Sequence, residues 1–402
     1  MNNIDPSKHH WFIGDGMVHG LLLGEGKAHW YRNRWVRSKR VSAALGEPPV
    51  LSDWPAEHMD FAANTNVIGH SGKTFALVEG GGSPMEMSFD LETIRASNLG
   101  GTLPQAFSAH PKLDPKSGEL HVMTYWFGWG NQVQYLIVGV DGKVRRTVDI
   151  QLPGSPMLHD IAFTEKYILV FDLPCVFNMQ MAMNGSNFPY CWDNNYQARI
   201  GLLPRLGSEH EIRWCEIDSC YIFHAMNAYD APDGTVVLTA IRHDKMFSKE
   251  KRGPGEGPPT LDEWVLDPTT RSTRHRRLDD RPQEFPRIDE RLNGLQNRFG
   301  YSAGVESGFV QSILIKHDLA NSTSEIRNDG YRFGYGEPVF VPNHKSNRED
   351  EGWVMVLRHD LETDLSDFVI IDSQGFTDDP VAVVHLPVRV PNGFHGNWIT
   401  AK

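Results

Sequence analysis

QYLIVGVDGKVRRTVDI, residues 134–150, decides the fold class. A short run rich in Tyr, Leu, Ile and Val reaches Asp141-Gly142, and a second strand-like run follows at once. Asp-Gly between two such runs is a two-residue hairpin signal, because both turn positions call for positive φ. The same texture extends outward in both directions: TFALVEG (74–80), HVMTYWFGW (121–129), KYILVFDLP (166–174), TVVLTAIRH (235–243), GWVMVLRHD (352–360) and DFVIIDSQG (367–375). Gly, Pro, Asp and Asn punctuate these runs, so the chain reads as many short antiparallel strands. The best helical candidate, Ser88–Ser97, is short and carries Thr and Ile. An all-β sandwich, barrel or propeller follows. The propeller suits 402 residues best: divided by seven, they give about 57 per blade. The stretch 244–263, with its Gly-Pro-Gly-Glu-Gly-Pro-Pro centre, reads as a long loop and not as a nucleotide-binding one.

Formal charge is −12, from 39 Lys+Arg and 51 Asp+Glu. That argues against a general nucleic-acid surface. The one basic cluster, Arg271–Arg277, reads as the solvated face of a strand. Cys175, Cys191, Cys215 and Cys220 form no CxxC pair. No secretory apolar segment precedes them, so reduced thiols in the cytoplasm are the expectation. No apolar run approaches the roughly 20 residues of a membrane span. The run 173–183 (LPCVFNMQMAM) reads either as a patch that touches a membrane or as a buried blade edge. Trp126, Phe127 and Trp129 read either as tunnel wall or as packing between sheets.

Four histidines stand in apolar or aromatic settings: His110 (FSAHPKLD), His159 (PMLHDIAF), His224 (YIFHAMNAY) and His395 (NGFHGNW). Their separations of 49, 65 and 171 residues exclude a local finger; only a fold that brings many strand ends to one axis can unite them. Four neutral imidazoles with no carboxylate ligand favour a redox transition metal over calcium or magnesium. A tetrahedral zinc held by all four would be closed, which argues against a zinc hydrolase. Glu79, Glu284 and Glu337 sit in similarly apolar text, where a carboxylate needs partners; a metal-bound imidazole commonly donates its second N–H to such a group. His19 and His29 read as structural, and His9, His10, His243, His317, His344 and His359 as surface residues.

Fragments in order along the chain resemble the carotenoid cleavage oxygenase family, which includes apocarotenoid oxygenases and lignostilbene dioxygenases. They are GDGMVHG (14–20), WYRNRWVRS (30–38), AHPKLDP (109–115), LHDIAFT (158–164), FHAMNAY (223–229), LDDRPQEFPRIDER (278–291), GEPVFVP (336–342), EDEGWVMVL (349–357) and GFHGNW (393–398). The resemblance implies a seven-bladed β-propeller with an axial metal site and a loop cap, formed by residues 1–402 as a single domain that is short at its N-terminus. It implies one Fe2+ per chain on His110, His159, His224 and His395, with Glu79, Glu284 and Glu337 behind them. No catalytic group beyond the metal site is expected. The implied reaction is cleavage of a conjugated C=C bond by O2, giving two carbonyl products. The implied partners are O2 and a lipophilic polyene or stilbenoid. Lignostilbene-cleaving members carry a lysine just before the glutamate matching Glu79. Val78 stands there, which favours a carotenoid or apocarotenoid. The alternatives are a stilbene- or phenylpropanoid-cleaving dioxygenase and an inactive propeller used as a binding scaffold.

Overall fold

Strands Gln132–Val138 and Val144–Gln151 pair antiparallel around Asp141-Gly142, as the opening stretch predicts. The turn is a longer one than expected. Only Gly142 takes positive φ, at 77°. Its amide donates to the Gly139 carbonyl at 2.9 Å, and the Gly139 amide to the Lys143 carbonyl at 2.8 Å. Asp141 instead accepts the Lys143 amide on its side chain at 3.1 Å. One left-handed glycine with an adjacent bulge, between Ile137 and Val138, does the work of two. Gln132–Val138 is buried almost throughout, whereas Val144–Gln151 alternates half-buried and exposed, with Ile150 alone fully buried. A blade-interior strand is covered on both faces and reads as a continuous apolar run; an outer strand has one wet face.

The computed structural model describes residues 10–251, 253, 256–305 and 311–400; His9 and part of the glycine-proline loop lie outside them. Among these residues six antiparallel sheets of four or five strands follow one another along the chain. The first runs from Leu51–Ser52 to Thr93–Ala96, where one parallel pairing occurs. The next four each use four strands: Lys112–Leu113 to Val144–Gln151, Ala162–Phe163 to Arg213–Glu216, Tyr221–Asp230 to Thr273–Asp279, and Gln283–Arg287 to Thr323–Arg327. The sixth is built on Gly352–Asp360, which pairs with both Phe333–Tyr335 and Val339–Pro342. The described residues therefore form six blades, not the expected seven. The expected seven came from the family resemblance, and the length of the chain does not set the number. Met17–Gly24 and Lys27–Trp35 form a separate two-stranded ribbon, and Cys175–Phe177 with Tyr190–Trp192 another, so these residues add no blade.

The first strands of successive blades touch: Ala162–Phe163 contacts Tyr221–Asp230, which contacts Gln283–Arg287. The C-terminal segment links the last blade to the first. The His395 amide donates to the Thr65 carbonyl at 3.1 Å, and the Asn397 side-chain amide to Asn66 Oδ1 and the Val67 carbonyl at 2.9 and 2.8 Å. One buried apolar cluster extends from Met123 through Phe171 to Trp264 across the second, third and fourth blades.

Ser88–Ser97 is not a helix. Ser88 Oγ accepts the Asp90 and Glu92 amides, closing a turn that leads into strand Thr93–Ala96. Serine offers the backbone this local alternative, and the β-branched pair that follows prefers a strand. The basic cluster lies on the outer strand Thr273–Asp279 with exposed side chains. Arg276 pairs with Glu263 and His275 with Asp262, each at 2.6 Å. All four cysteines are free. Among the described residues no helix is long and apolar enough to cross a membrane.

Candidate metal centre

The four apolar histidines arrive on different pieces of chain. His110 lies two residues before strand Lys112–Leu113, its amide held by Ser108 Oγ at 3.1 Å. His159 precedes Ala162–Phe163. His224 lies within Tyr221–Asp230, where the register shifts between Ile222 and Ala225 and again before Asn227. Such irregularities re-aim a side chain out of the regular alternation. His395 sits on the strandless C-terminal segment that closes the ring.

The rings converge. Centroids are 4.3 Å apart for His110 and His395, 4.5 Å for His110 and His159, and 4.7 Å for His224 and His395. One ring nitrogen from each lies within 4.8 Å of those from the other three, so the group could hold a metal ion.

Each predicted glutamate sits behind one ring. Glu79 Oε2 is 2.7 Å from His159 Nδ1, Glu284 Oε2 is 2.6 Å from His224 Nδ1, and Glu337 Oε1 is 3.0 Å from His395 Nδ1. His224 and His395 donate Nδ1–H to their carboxylates, and His159 turns Nδ1 towards Glu79, so all three direct Nε2 inward. The His159–His224 and His224–His395 Nε2 pairs are 3.2 Å apart, and the buried His110 Nε2 has no hydrogen-bond partner. Neutral acceptors facing one another repel; a cation among them removes the conflict. The donor set therefore fits a metal.

The electrostatics agree at His110, His395, Glu284 and Glu337, whereas Glu79 holds His159 towards its protonated form, a proton a metal would displace. Burial, reinforced by the other three imidazoles, drives His110 well below the usual histidine range. Burial also lowers His395, to about 4, against the pull of Glu337. His159 is pushed down by burial but raised on balance by the Glu79 carboxylate. Burial would raise Glu337, yet Arg287 and His395 bring it down to about 2. Glu284 is likewise depressed, by His224 and His243 against its burial. Neutral imidazoles and ionised carboxylates are the states a metal site uses.

Sequence reasoning missed several residues that build the site. Asp160 is buried and accepts the Ala225 amide at 2.9 Å and Lys112 Nζ at 3.0 Å, so it ties together the segments carrying three of the histidines. Arg287 Nη1 lies 3.2 Å from Glu337 and donates to the Gly396 carbonyl at 3.2 Å. Tyr125 donates to Glu79 at 3.1 Å. An acid inside the apolar run LHDIAF was a readable signal for Asp160. His243 and His317, read as surface residues, are buried, as is His10; His344 is exposed and His359 half-buried. His19 bonds Tyr31 at 2.7 Å and His29 the Gly24 carbonyl at 3.0 Å, both structural. Trp126, Phe127 and Trp129 lie on a turn whose Phe127 is exposed.

The retinal pigment epithelial membrane protein (RPE65) family model matches residues 2–400. A carotenoid cleavage oxygenase of Mycobacterium tuberculosis is 38% identical over 445 aligned positions, which cover 98% of this chain and 88% of the relative. The chain belongs to the RPE65/carotenoid cleavage oxygenase family. It is thus an oxygenase, an enzyme of a family that incorporates O2. A carotenoid 9,10(9′,10′)-cleavage dioxygenase 1 of Arabidopsis thaliana is 30% identical, covering 98% of this chain and 81% of the relative. Two solved members of the family superpose with a TM-score of 0.87 at 26% identity. The Pseudomonas brassicacearum lignostilbene dioxygenase covers 96% of this chain and 87% of its own. The cobalt-substituted apocarotenoid oxygenase (ACO) of Synechocystis covers 98% and 89%.

Proposed function

We propose that this chain is a non-haem Fe(II)-dependent dioxygenase that cleaves a conjugated C=C bond of a carotenoid or apocarotenoid with O2, giving two carbonyl products. One Fe2+ per chain would be held by His110, His159, His224 and His395, oriented by Glu79, Glu284 and Glu337. The observation that carries this reading is the convergence of four imidazoles, three of them backed by a carboxylate. The chemistry that ferrous iron supplies when bound is activation of O2 beside the alkene.

The chain's own residues would position the substrate and exclude water. Phe223 lies edge-on to His159 at 5.1 Å, and Phe285 stands 5.4 Å from His224 and 5.3 Å from His395. Phe12 stacks on Phe394 at 5.8 Å and meets Phe223 at 5.6 Å. This aromatic wall suits an apolar polyene and offers little to a charged ligand. Holding an olefin there in a fixed pose would supply much of the rate.

A stilbenoid substrate is the second reading, favoured by the likeness to the lignostilbene dioxygenase. Val78 counts against it, since an apolar side chain beside Glu79 gives a phenolate no cation. The run 173–183 supports peripheral membrane contact of a cytoplasmic protein. Leu173 and Cys175 are buried, but Met179 and Met183 on the short helix Met179–Met183 are 64% and 75% exposed. Free thiols support the compartment. Anaerobic Fe(II) reconstitution followed by O2 and a panel of apocarotenals and hydroxystilbenes tests the substrate. Aldehyde products from the apocarotenals are expected; turnover of the phenols alone would contradict the reading.

A further inference from the structure

The Glu284 carboxylate serves two imidazoles. Oε2 receives His224 Nδ1–H at 2.6 Å, and Oε1 receives a hydrogen bond from His243 Nε2, also at 2.6 Å. An ionised carboxylate only accepts, so His243 carries its proton on Nε2. We propose that His243 is a positioning residue of the metal centre, acting through Glu284 on His224; this rests on the four-histidine reading above.

Three observations support the assignment. A carboxylate anchored through one oxygen can swing about its side chain, whereas one bonded through both cannot, and its plane sets the direction of His224 Nδ1–H. Glu337 is clamped in the same way by another donor, and Glu79 takes a donor on the oxygen other than the one beside His159. Tyr125 donates to Glu79 Oε1 at 3.1 Å, and the Gly396 amide donates to Glu337 Oε2 at 3.0 Å. Finally, His243 is itself fixed. It is buried at the end of strand Val236–His243, opposite Tyr221. Its ring meets Phe223 edge-on at 5.3 Å and 85°, and Phe223 meets His159 in turn. The donated hydrogen bond also draws charge from Glu284, so it moderates the basicity that the carboxylate passes to His224.

Co(II) titration of the full-length protein, read by its visible ligand-field bands, tests the inference. His243→Phe keeps the ring and removes the donor; His243→Gln keeps an N–H close to the Nε2 position. The expected result is about tenfold weaker Co(II) binding with displaced bands for His243→Phe, and wild-type bands and affinity for His243→Gln. A His243→Phe protein with unchanged affinity and bands would overturn the proposal, and so would equal losses in both variants. Should His243→Phe not fold, His243→Asn, whose amide falls short of Glu284, takes its place with the same expectation. Failure of the wild-type chain to bind one Co(II) would strike at the four-histidine reading instead.

Discussion

Arg287 is the most sensitive single point in the account of the site's charge. It lies 3.2 Å from Glu337 with both side chains largely buried. Its other donors reach Asn397 Oδ1 at 2.8 Å and Glu290 at 2.6 Å. Arg287→Met keeps apolar bulk but leaves the Glu337 carboxylate without its cation. Removing one partner of a buried pair costs about 3–5 kcal/mol. At about 1.2 °C per kcal/mol for a chain of this size, Tm should fall by ~4–6 °C. Some of that loss belongs to the C-terminal segment, because Arg287 also holds Gly396 and Asn397. A double-mutant cycle separates the two. Glu337→Gln removes the charge that Arg287 compensates, so Arg287→Met should cost at least ~2 kcal/mol less on that background. Urea unfolding of the four metal-free proteins reads the coupling directly. If the two substitutions add to within about 0.5 kcal/mol, Arg287 does not stabilise Glu337 and the charge argument is wrong.

Glu79→Gln and Glu284→Gln should each weaken metal binding by about 10–100-fold while the protein stays folded; chelator competition measures this, and unchanged affinity would mean the carboxylates do not orient their histidines. His121 is buried and bonds Tyr135 at 2.5 Å; burial, then Arg205, lowers it from 6.5 to about 4. Its folded value lies below its unfolded one, so the stability it contributes is complete above pH 6.5 and is lost as pH falls towards 4. The unfolding free energy should drop by about 2 kcal/mol from His121 alone between pH 7 and pH 5, and a flat urea midpoint over that range would contradict the neutral, buried assignment. Met179→Ser with Met183→Ser should reduce liposome co-sedimentation at least ~tenfold without changing turnover of detergent-dispersed substrate; equal sedimentation would remove the membrane role from this helix.

The four histidines and three glutamates were legible because each stands out against its neighbours: a polar group at the end of an apolar run, beside a turn. His243 was not, for a reason the strand geometry supplies. Its neighbours Arg242 and Asp244 are charged, but successive side chains on a strand point to opposite faces. Arg242 pairs with Asp244, while His243 faces Glu284. His317, between Lys316 and Asp318, misled in part for the same reason: Asp318 pairs outward with Arg298 while His317 bonds Gln283 at 2.8 Å. Blade number was not legible from length, since nothing in the composition of residues 17–35 or 175–192 marks a hairpin that stands apart from the sheets. Arg287 and Asp160 escaped notice because their partners, Glu337 and the Ala225 amide, lie 50 and 65 residues away. The packing of neighbouring blades around the axis brings such pairs together.

The most direct measurement is X-ray absorption at the iron edge of the Fe(II)-reconstituted protein, with metal content determined on the same sample. About one iron per chain surrounded by four imidazole nitrogens is the predicted result. Iron bound through two or fewer imidazoles, or no iron retained by a folded chain, would contradict the convergence of His110, His159, His224 and His395 on a single ion.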